Sequence, residues 1–384
     1  MRRIAMRERS DWRATAERYG FRFHTIDGEP YWDETACYAF TLAQIEDDIE
    51  TPTAELHAMA LDLVGDVVAN EGLMRRLAIP EPFRDWIADS WRAREPHLYG
   101  RMDFSYDGNG PAKLLELNYD TPTALYEAAF FQWVWLEEQI ACGALAQGVD
   151  QYNLIQENLI DAFATIARAL PEPLYLSAAS DSDEDQGTIA YLDDCARQAG
   201  LATRRIAIED IGLAADGRFT DLDDHPIEAL FKLYPLEFMF GEAFGKALPG
   251  SRCQLIEPPW KAILSNKGIL PLLWEKYPDH PNLLPSFFHD GGSLPKGWVR
   301  KPLLSREGAN IELHRESGDW LRTDGPYVDG PFVRQQFHPL PQFDGRHALV
   351  GSWVVGDRAS GIGMRDDATP ITRDSSHFVP HIIE

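Results

Sequence analysis

The stretch R-M-D-F-S-Y-D-G-N-G-P-A-K-L-L-E-L-N-Y-D-T-P-T, residues 101–123, decides how the rest of the chain is read. Its middle, Asp107-Gly108-Asn109-Gly110, gathers residues that tolerate positive φ and so marks a turn between two strands. Side chains alternate along a strand, so Arg101, Asp103 and Ser105 share one face of the first arm. On the second arm Glu116 and Asn118 share a face, and Leu115 and Leu117 point the other way. Antiparallel pairing then predicts that Arg101, Asp103, Glu116 and Asn118 meet on one surface. Two carboxylates, an amide and a guanidinium are costly neighbours unless something charged sits between them. Mg²⁺ carrying phosphate meets that need, because it takes oxygen ligands and few of them from protein. An ordinary hairpin with a solvated polar face is the other reading of the same pattern.

The 384 residues suffice for a sizeable core and two or three lobes. A formal net charge of -25 excludes non-specific nucleic-acid binding and would attract a cationic substrate such as a polyamine. The four cysteines, Cys37, Cys142, Cys195 and Cys253, have no metal-ligand spacing and read as reduced thiols. No apolar run is long enough to cross a membrane, so a cytoplasmic protein without a membrane partner is expected.

Working outward, residues 1–100 read as a mainly helical N-terminal region. Leu42, Ile45, Ile49, Leu56, Met59 and Leu63 recur at roughly helical spacing, and Pro80 and Pro82 break the run. Residues 101–170 hold the hairpin and two following helices, whose aromatics, such as Tyr126, Phe131 and Trp135, read as core. Residues 171–255 look like an alternating α/β unit with a parallel sheet. Within it, Ser177 to Gln186 reads as an acidic loop carrying Asp181, Asp183, Glu184 and Asp185, followed by a helix ending at Gly200. Residues 256–384 form the last unit: a strand with Lys301, a small loop Leu304–Asn310, and later strands, with a loop over Gly356–Gly363. A strand lysine before a flexible loop is one way to cover phosphates.

Several stretches together resemble the synthetase part of the glutathionylspermidine synthase family, whose members are ATP-grasp ligases. They are R-M-D-F, E-L-N-Y-D-T-P-T, E-P-P-W-K, S-N-K-G-I-L-P, R-K-P-L-L-S-R-E-G-A-N-I and G-M-R-D-D, in that order. With no cysteine-amidase segment before the match, a stand-alone relative is expected. The resemblance implies an ATP-grasp fold of α+β lobes with a pre-ATP-grasp α/β unit, and the cofactors ATP and Mg²⁺. It implies that Asp103, Glu116 and Asn118 hold Mg²⁺, and that Arg101 contacts the reacting carboxylate. By the same resemblance Lys267, Lys301 and Arg365 meet nucleotide phosphates, Gln335 and Gln336 follow adenine, and Arg306 belongs to a mobile loop over the site. Thr121 and Thr123 would line the acid substrate, and Glu184 and Asp185 would face the amine.

The implied reaction activates a carboxylate with the γ-phosphoryl group of ATP and lets an amine attack the acyl phosphate. Positioning and charge neutralisation carry such chemistry. A peptide or amino-acid carboxylate and an amine such as a polyamine are the expected partners, with the protein a monomer or homodimer. Leu233 stands where the family has a threonine in its peptide site, and His377 where it has an acidic residue toward the polyamine. Two other functions fit the same parts: a non-catalytic nucleotide or peptide sensor, and a kinase that phosphorylates without ligating.

Overall fold

The computed structural model describes residues 1–26 and 28–384. Tyr99–Ser105 and Lys113–Asn118 pair antiparallel, with Arg101 opposite Asn118 and Asp103 opposite Glu116. Gly108 and Gly110 take positive φ in the turn, and Asp107 Oδ1 accepts the Asn109 N–H at 2.8 Å. One feature departs from simple alternation. The register shifts after Asp103, so that Phe104 pairs with Leu114. Leu115 is the extra residue of this bulge. Leu114 takes the buried place expected of Leu115, and Leu115 is turned out to the cavity described below.

The hairpin is one edge of an antiparallel central sheet. Its order is His377–Val379, Arg358–Asp367, Arg346–Val355, Tyr99–Ser105, Lys113–Asn118, and Gln342–Phe343 pairs beside Arg346–Val355. The loop expected over Gly356–Gly363 is instead a tight turn. Gly356 takes φ +56 and the strand resumes at Arg358, so Arg365, Asp366 and Asp367 lie on a strand.

Residues 174–256 form the expected parallel sheet, in the order Gln254–Ile256, Ala229–Leu233, Leu174–Ala178, Thr203–Ala207. Its two middle strands are buried along their whole length, which is why they read as apolar runs. The helix between Leu174–Ala178 and Thr203–Ala207 begins earlier than expected, at Asp183. Ser182 Oγ accepts the Asp185 N–H at 3.1 Å, and Asp183, Glu184 and Asp185 occupy the first turn, where the helix dipole favours carboxylates. The acidic run is therefore largely helix, not loop.

A second antiparallel sheet runs Ser286–His289, Phe332–Gln336, Trp298–Pro302, Glu312–His314, Trp320–Arg322. Beneath the central sheet, helix Thr51–Val68 buries Leu56, Ala60, Leu63, Val64 and Val67 in a core shared with Met102, Phe104, Leu114 and Leu117. The N-terminal region also holds two strands that periodicity did not suggest. Arg2–Ala5 pairs antiparallel with Ala36–Phe40, which the C-terminal His381–Ile383 joins in parallel. Ala36–Phe40 is buried on both faces, so its sequence has no alternation to betray it.

Candidate active site

A cavity of about 200 Å³ is lined by residues of the central sheet, the second antiparallel sheet and the loops that follow them. Its polar floor is the hairpin. Arg101 donates to both oxygens of Asp103, at 2.6 and 2.9 Å, and to the Thr123 carbonyl at 2.6 Å. Gly351 makes room for that arginine: a Cβ there would stand 3.0 Å from Arg101 Cδ. The Asn118 amide donates to Asp103 Oδ2 at 3.1 Å and to Glu116 Oε1 at 3.3 Å. Lys267 lies 3.2 Å from the other oxygen of Glu116 and donates to the Ser305 carbonyl at 2.5 Å. Lys301 donates to the Leu115 carbonyl and to Gln335 Oε1, both at 2.9 Å. The bulge thus turns a backbone carbonyl toward Lys301 as well as exposing Leu115.

The electrostatics follow from burial and from these partners. Burial pushes the Glu116 carboxyl up, but Lys267, Lys301 and the Asn118 amide outweigh it and hold the group at about 2. Asp103 stays above the usual carboxylate range, because burial outweighs Arg101. Burial lowers Lys301 to about 8. The donor set fits a hard divalent cation: two carboxylates and an amide oxygen. The amide of Asn118 now presents nitrogen to both carboxylates. Turned over, it would place a third oxygen beside them, an arrangement that requires a cation.

Around this floor stand the other residues singled out from sequence. Arg306 donates to Glu237 Oε1 at 2.6 and 3.0 Å and to Thr121 Oγ1 at 2.8 Å, so the loop arginine is fastened to the helix Leu236–Gly241. Thr123 contributes its carbonyl to Arg101 and also lines the cavity. Gln335 is buried between Lys301 and the Leu114 carbonyl, and Gln336 is exposed at the cavity edge. Arg365 lines the cavity too, but its Nε and Nη2 donate to the carbonyls of Arg373, Asp374 and Ser376.

Glu184 and Asp185 are absent from the cavity lining. They lie beside it, near Asp374, which does line it. Burial, then Glu127 and Asp374, raises the Glu184 carboxyl to about 8; burial, opposed by the Ser182 hydroxyl and aided by Asp374, raises Asp185 to about 6. The helix carrying them is seated by Gly187, where a Cβ would come within 2.6 Å of the Phe23 ring. Leu233 is core, 5% exposed. His377 also stands outside the cavity lining, with Nδ1 3.5 Å from Asp33. Burial raises the Asp33 carboxyl, but His377 and Thr35 outweigh it and hold it at about 2.

Sequence reasoning passed over Glu237, Asp374 and Glu127. Glu127 had one visible signal, a charge within the run Tyr126-Glu127-Ala128-Ala129-Phe130-Phe131 that otherwise reads as core.

Comparison with known proteins identifies the family and the fold. The family model "Glutathionylspermidine synthase preATP-grasp" matches residues 3–384. A Haemophilus influenzae protein named as an acid–amine ligase is 43% identical over 94% of this chain and 94% of its own length. Trypanothione synthetase of Crithidia fasciculata is 28% identical over 84% of this chain, and the bifunctional glutathionylspermidine synthetase/amidase of Escherichia coli 27% over 93%. The matched part spans 53% and 60% of those two longer relatives. A glutathione synthetase-like effector from Globodera pallida, solved in its apo form, superposes with TM-score 0.59 over 99% of this chain and 100% of its own, at 11% identity. The fold is mixed α/β, of ATP-grasp type with a pre-ATP-grasp unit. The chain belongs to the glutathionylspermidine synthase pre-ATP-grasp family, and its relatives are ligases.

Proposed function

We propose that this member of the glutathionylspermidine synthase family is an ATP-dependent acid–amine ligase. It would form an amide between a peptide or amino-acid carboxylate and an amine such as a polyamine, through an acyl phosphate. The observation that carries the reading is the hairpin face: Asp103, Glu116 and Asn118 gathered within reach of Arg101, Lys267 and Lys301 around one cavity. Asp103, Glu116 and Asn118 would hold Mg²⁺, which when bound neutralises phosphate charge. Lys267 and Lys301 would take up nucleotide phosphates, with Gln335 and Gln336 beside the base and Arg365 at the rim. Arg101 would orient the reacting carboxylate between Thr121 and Thr123. Arg306, leaving Glu237, would stabilise charge on the transferred group. Glu184 and Asp185 would receive the ammonium ends of the amine. Four cysteines, unpaired among the described residues, suit a reducing compartment, and we place the protein in the cytoplasm as a monomer or homodimer.

The test is ADP release measured across peptide acids crossed with amines. A ligase releases ADP and forms amide only with both partners present. Phosphate transfer that proceeds without any amine would make the protein a kinase. Nucleotide binding with no turnover for any pair would make it a sensor.

A further inference from the structure

A side pocket of about 20 Å³ adjoins the main cavity. It shares Asn118, Thr121, Lys267 and Arg306 with that cavity and adds Glu237 and Ser265. Its size suits one small polar group. Glu237, carried by Leu236–Gly241, is the carboxylate of this pocket, with its side chain 16% exposed. Arg306 donates to Glu237 Oε1 through both Nε and Nη2, and through Nη1 to Thr121 Oγ1 at 2.8 Å. One guanidinium thus spans Thr121 and Glu237, and among the described residues no donor falls on Glu237 Oε2. The hydroxyls of Thr121 and Ser265 each accept an N–H, from Arg306 and from the Tyr119 backbone at 3.2 Å, and each keeps a lone pair to spare. The pocket therefore offers three oxygen acceptors, one carboxylate and two hydroxyls, on three separate stretches of the chain. The ligase reading moves Arg306 to the transferred phosphoryl group. Glu237 then loses the one cation paired with it among the described residues. Lys267, on the same pocket, is held by Glu116 at 3.2 Å and by the Ser305 carbonyl at 2.5 Å. A largely buried carboxylate stripped of its cation is costly.

We infer that the acid substrate supplies the replacement: it carries an ammonium group close to its reacting carboxylate, and that ammonium takes the place of Arg306 on Glu237. The inference rests on the acid–amine ligase reading and narrows its acid to a free amino acid. An ammonium has three N–H donors and no acceptor, which matches the three oxygens. The carboxylate of the same molecule lies toward Arg101, between Thr121 and Thr123, which line the main cavity. A single guanidinium bridges Thr121 to Glu237, so the ammonium is only a few bonds from the carboxylate. The carboxyl end of a peptide has an amide at that place, with one N–H and no charge. The exchange conserves charge: Arg306 passes to the phosphoryl group as the ammonium neutralises Glu237. An acid without the ammonium frees Arg306 only by leaving Glu237 bare. Glu237 is thus a specificity-determining residue, and it ties the release of the loop arginine to the arrival of the right acid.

The test compares acids that differ only at the amino group. Each common L-amino acid is set beside its deaminated and its N-acetyl counterpart, as L-alanine beside propionate and N-acetyl-L-alanine. Each is incubated with ATP, Mg²⁺ and hydroxylamine, which traps an acyl phosphate as hydroxamate whatever the natural amine. The wild type should give at least one free amino acid a kcat/KM about 100-fold or more above both counterparts. Glu237→Gln should bring that ratio to within about threefold of unity, and Glu237→Asp, which keeps the charge, should restore most of it. The proposal is overturned if the deaminated or acetylated acid reacts as well as the amino acid. It is also overturned if Glu237→Gln slows all three forms alike, the result a merely structural latch would give. Hydroxamate from none of these acids overturns it too. ADP release with a peptide acid and an amine would then leave the ligase reading standing, and silence there would end that reading as well.

Discussion

Replacing Lys232 with methionine should destabilise the protein by about 3–5 kcal/mol. Lys232 lies within Ala229–Leu233, buried along its whole length, and it pairs with Asp120; both side chains are 0% exposed. Among the described residues Asp120 has one further donor, the Leu236 N–H at 2.9 Å. Without the ammonium, a carboxylate stays in the core with a single neutral hydrogen bond, which is the expensive way to break a buried pair. Asp120→Asn combined with Lys232→Met removes both charges and should recover at least half of the loss. The pair also ties the exit of the hairpin to the start of Leu236–Gly241, which carries Glu237 to Arg306. The single variant should therefore raise the KM of the acid substrate as well. Urea unfolding followed by tryptophan fluorescence, run over the full double-mutant cycle, measures the coupling. The reasoning is refuted if Lys232→Met lies within about 1 kcal/mol of wild type, or if the double variant loses the sum of the two singles.

Glu116→Ala and Asn118→Ala should each abolish ATP turnover while leaving the unfolding midpoint nearly unchanged, since both side chains sit at the cavity and leave no core void; wild-type turnover by either would remove the hairpin from the nucleotide site. With Glu184 raised to about 8 and Asp185 to about 6, a bound ammonium favours their ionised forms, so spermidine affinity should climb as pH rises through about 6 to about 8, and Glu184→Gln should flatten the upper part of that climb. The same shifts mean that the folded protein keeps protons the unfolded chain releases, so these two groups subtract stability increasingly as pH rises from about 4 to about 8. A flat calorimetric pH profile would count against both statements. Gly187→Ala should raise the amine KM more than the ATP KM, because the added Cβ would stand 2.6 Å from Phe23 and must push the acidic turn of the helix away; equal effects on both would unlink that helix from the amine. Finally, Glu237→Gln should speed tryptic cleavage at Arg306 several-fold and ATP with acid should slow it, read by gel; cleavage indifferent to both would leave the loop with no latch.

The sequence alone carried whatever depends on local alternation and on turn chemistry. The hairpin register follows from Asp107-Gly108-Asn109-Gly110 and from period-two spacing, and these bring Arg101, Asp103, Glu116 and Asn118 to one face. The parallel sheet was legible because strands buried on both faces read as apolar runs between helix signals. Other features were decided only in three dimensions. Leu115 reaches the cavity through a bulge, and nothing in an alternating sequence says where one residue is extra. Ala36–Phe40 is a strand because a partner 343 residues away in the chain, His381–Ile383, completes its sheet, a pairing no local window contains. Glu127 sits in an aromatic run that reads as core, and core it is. Its charge environment comes from Tyr31, Arg365 and Glu184, which the fold collects from three separate stretches of the chain. Local sequence governs backbone geometry within a few residues. The charge environment of a buried carboxylate is a property of what long-range packing places around it.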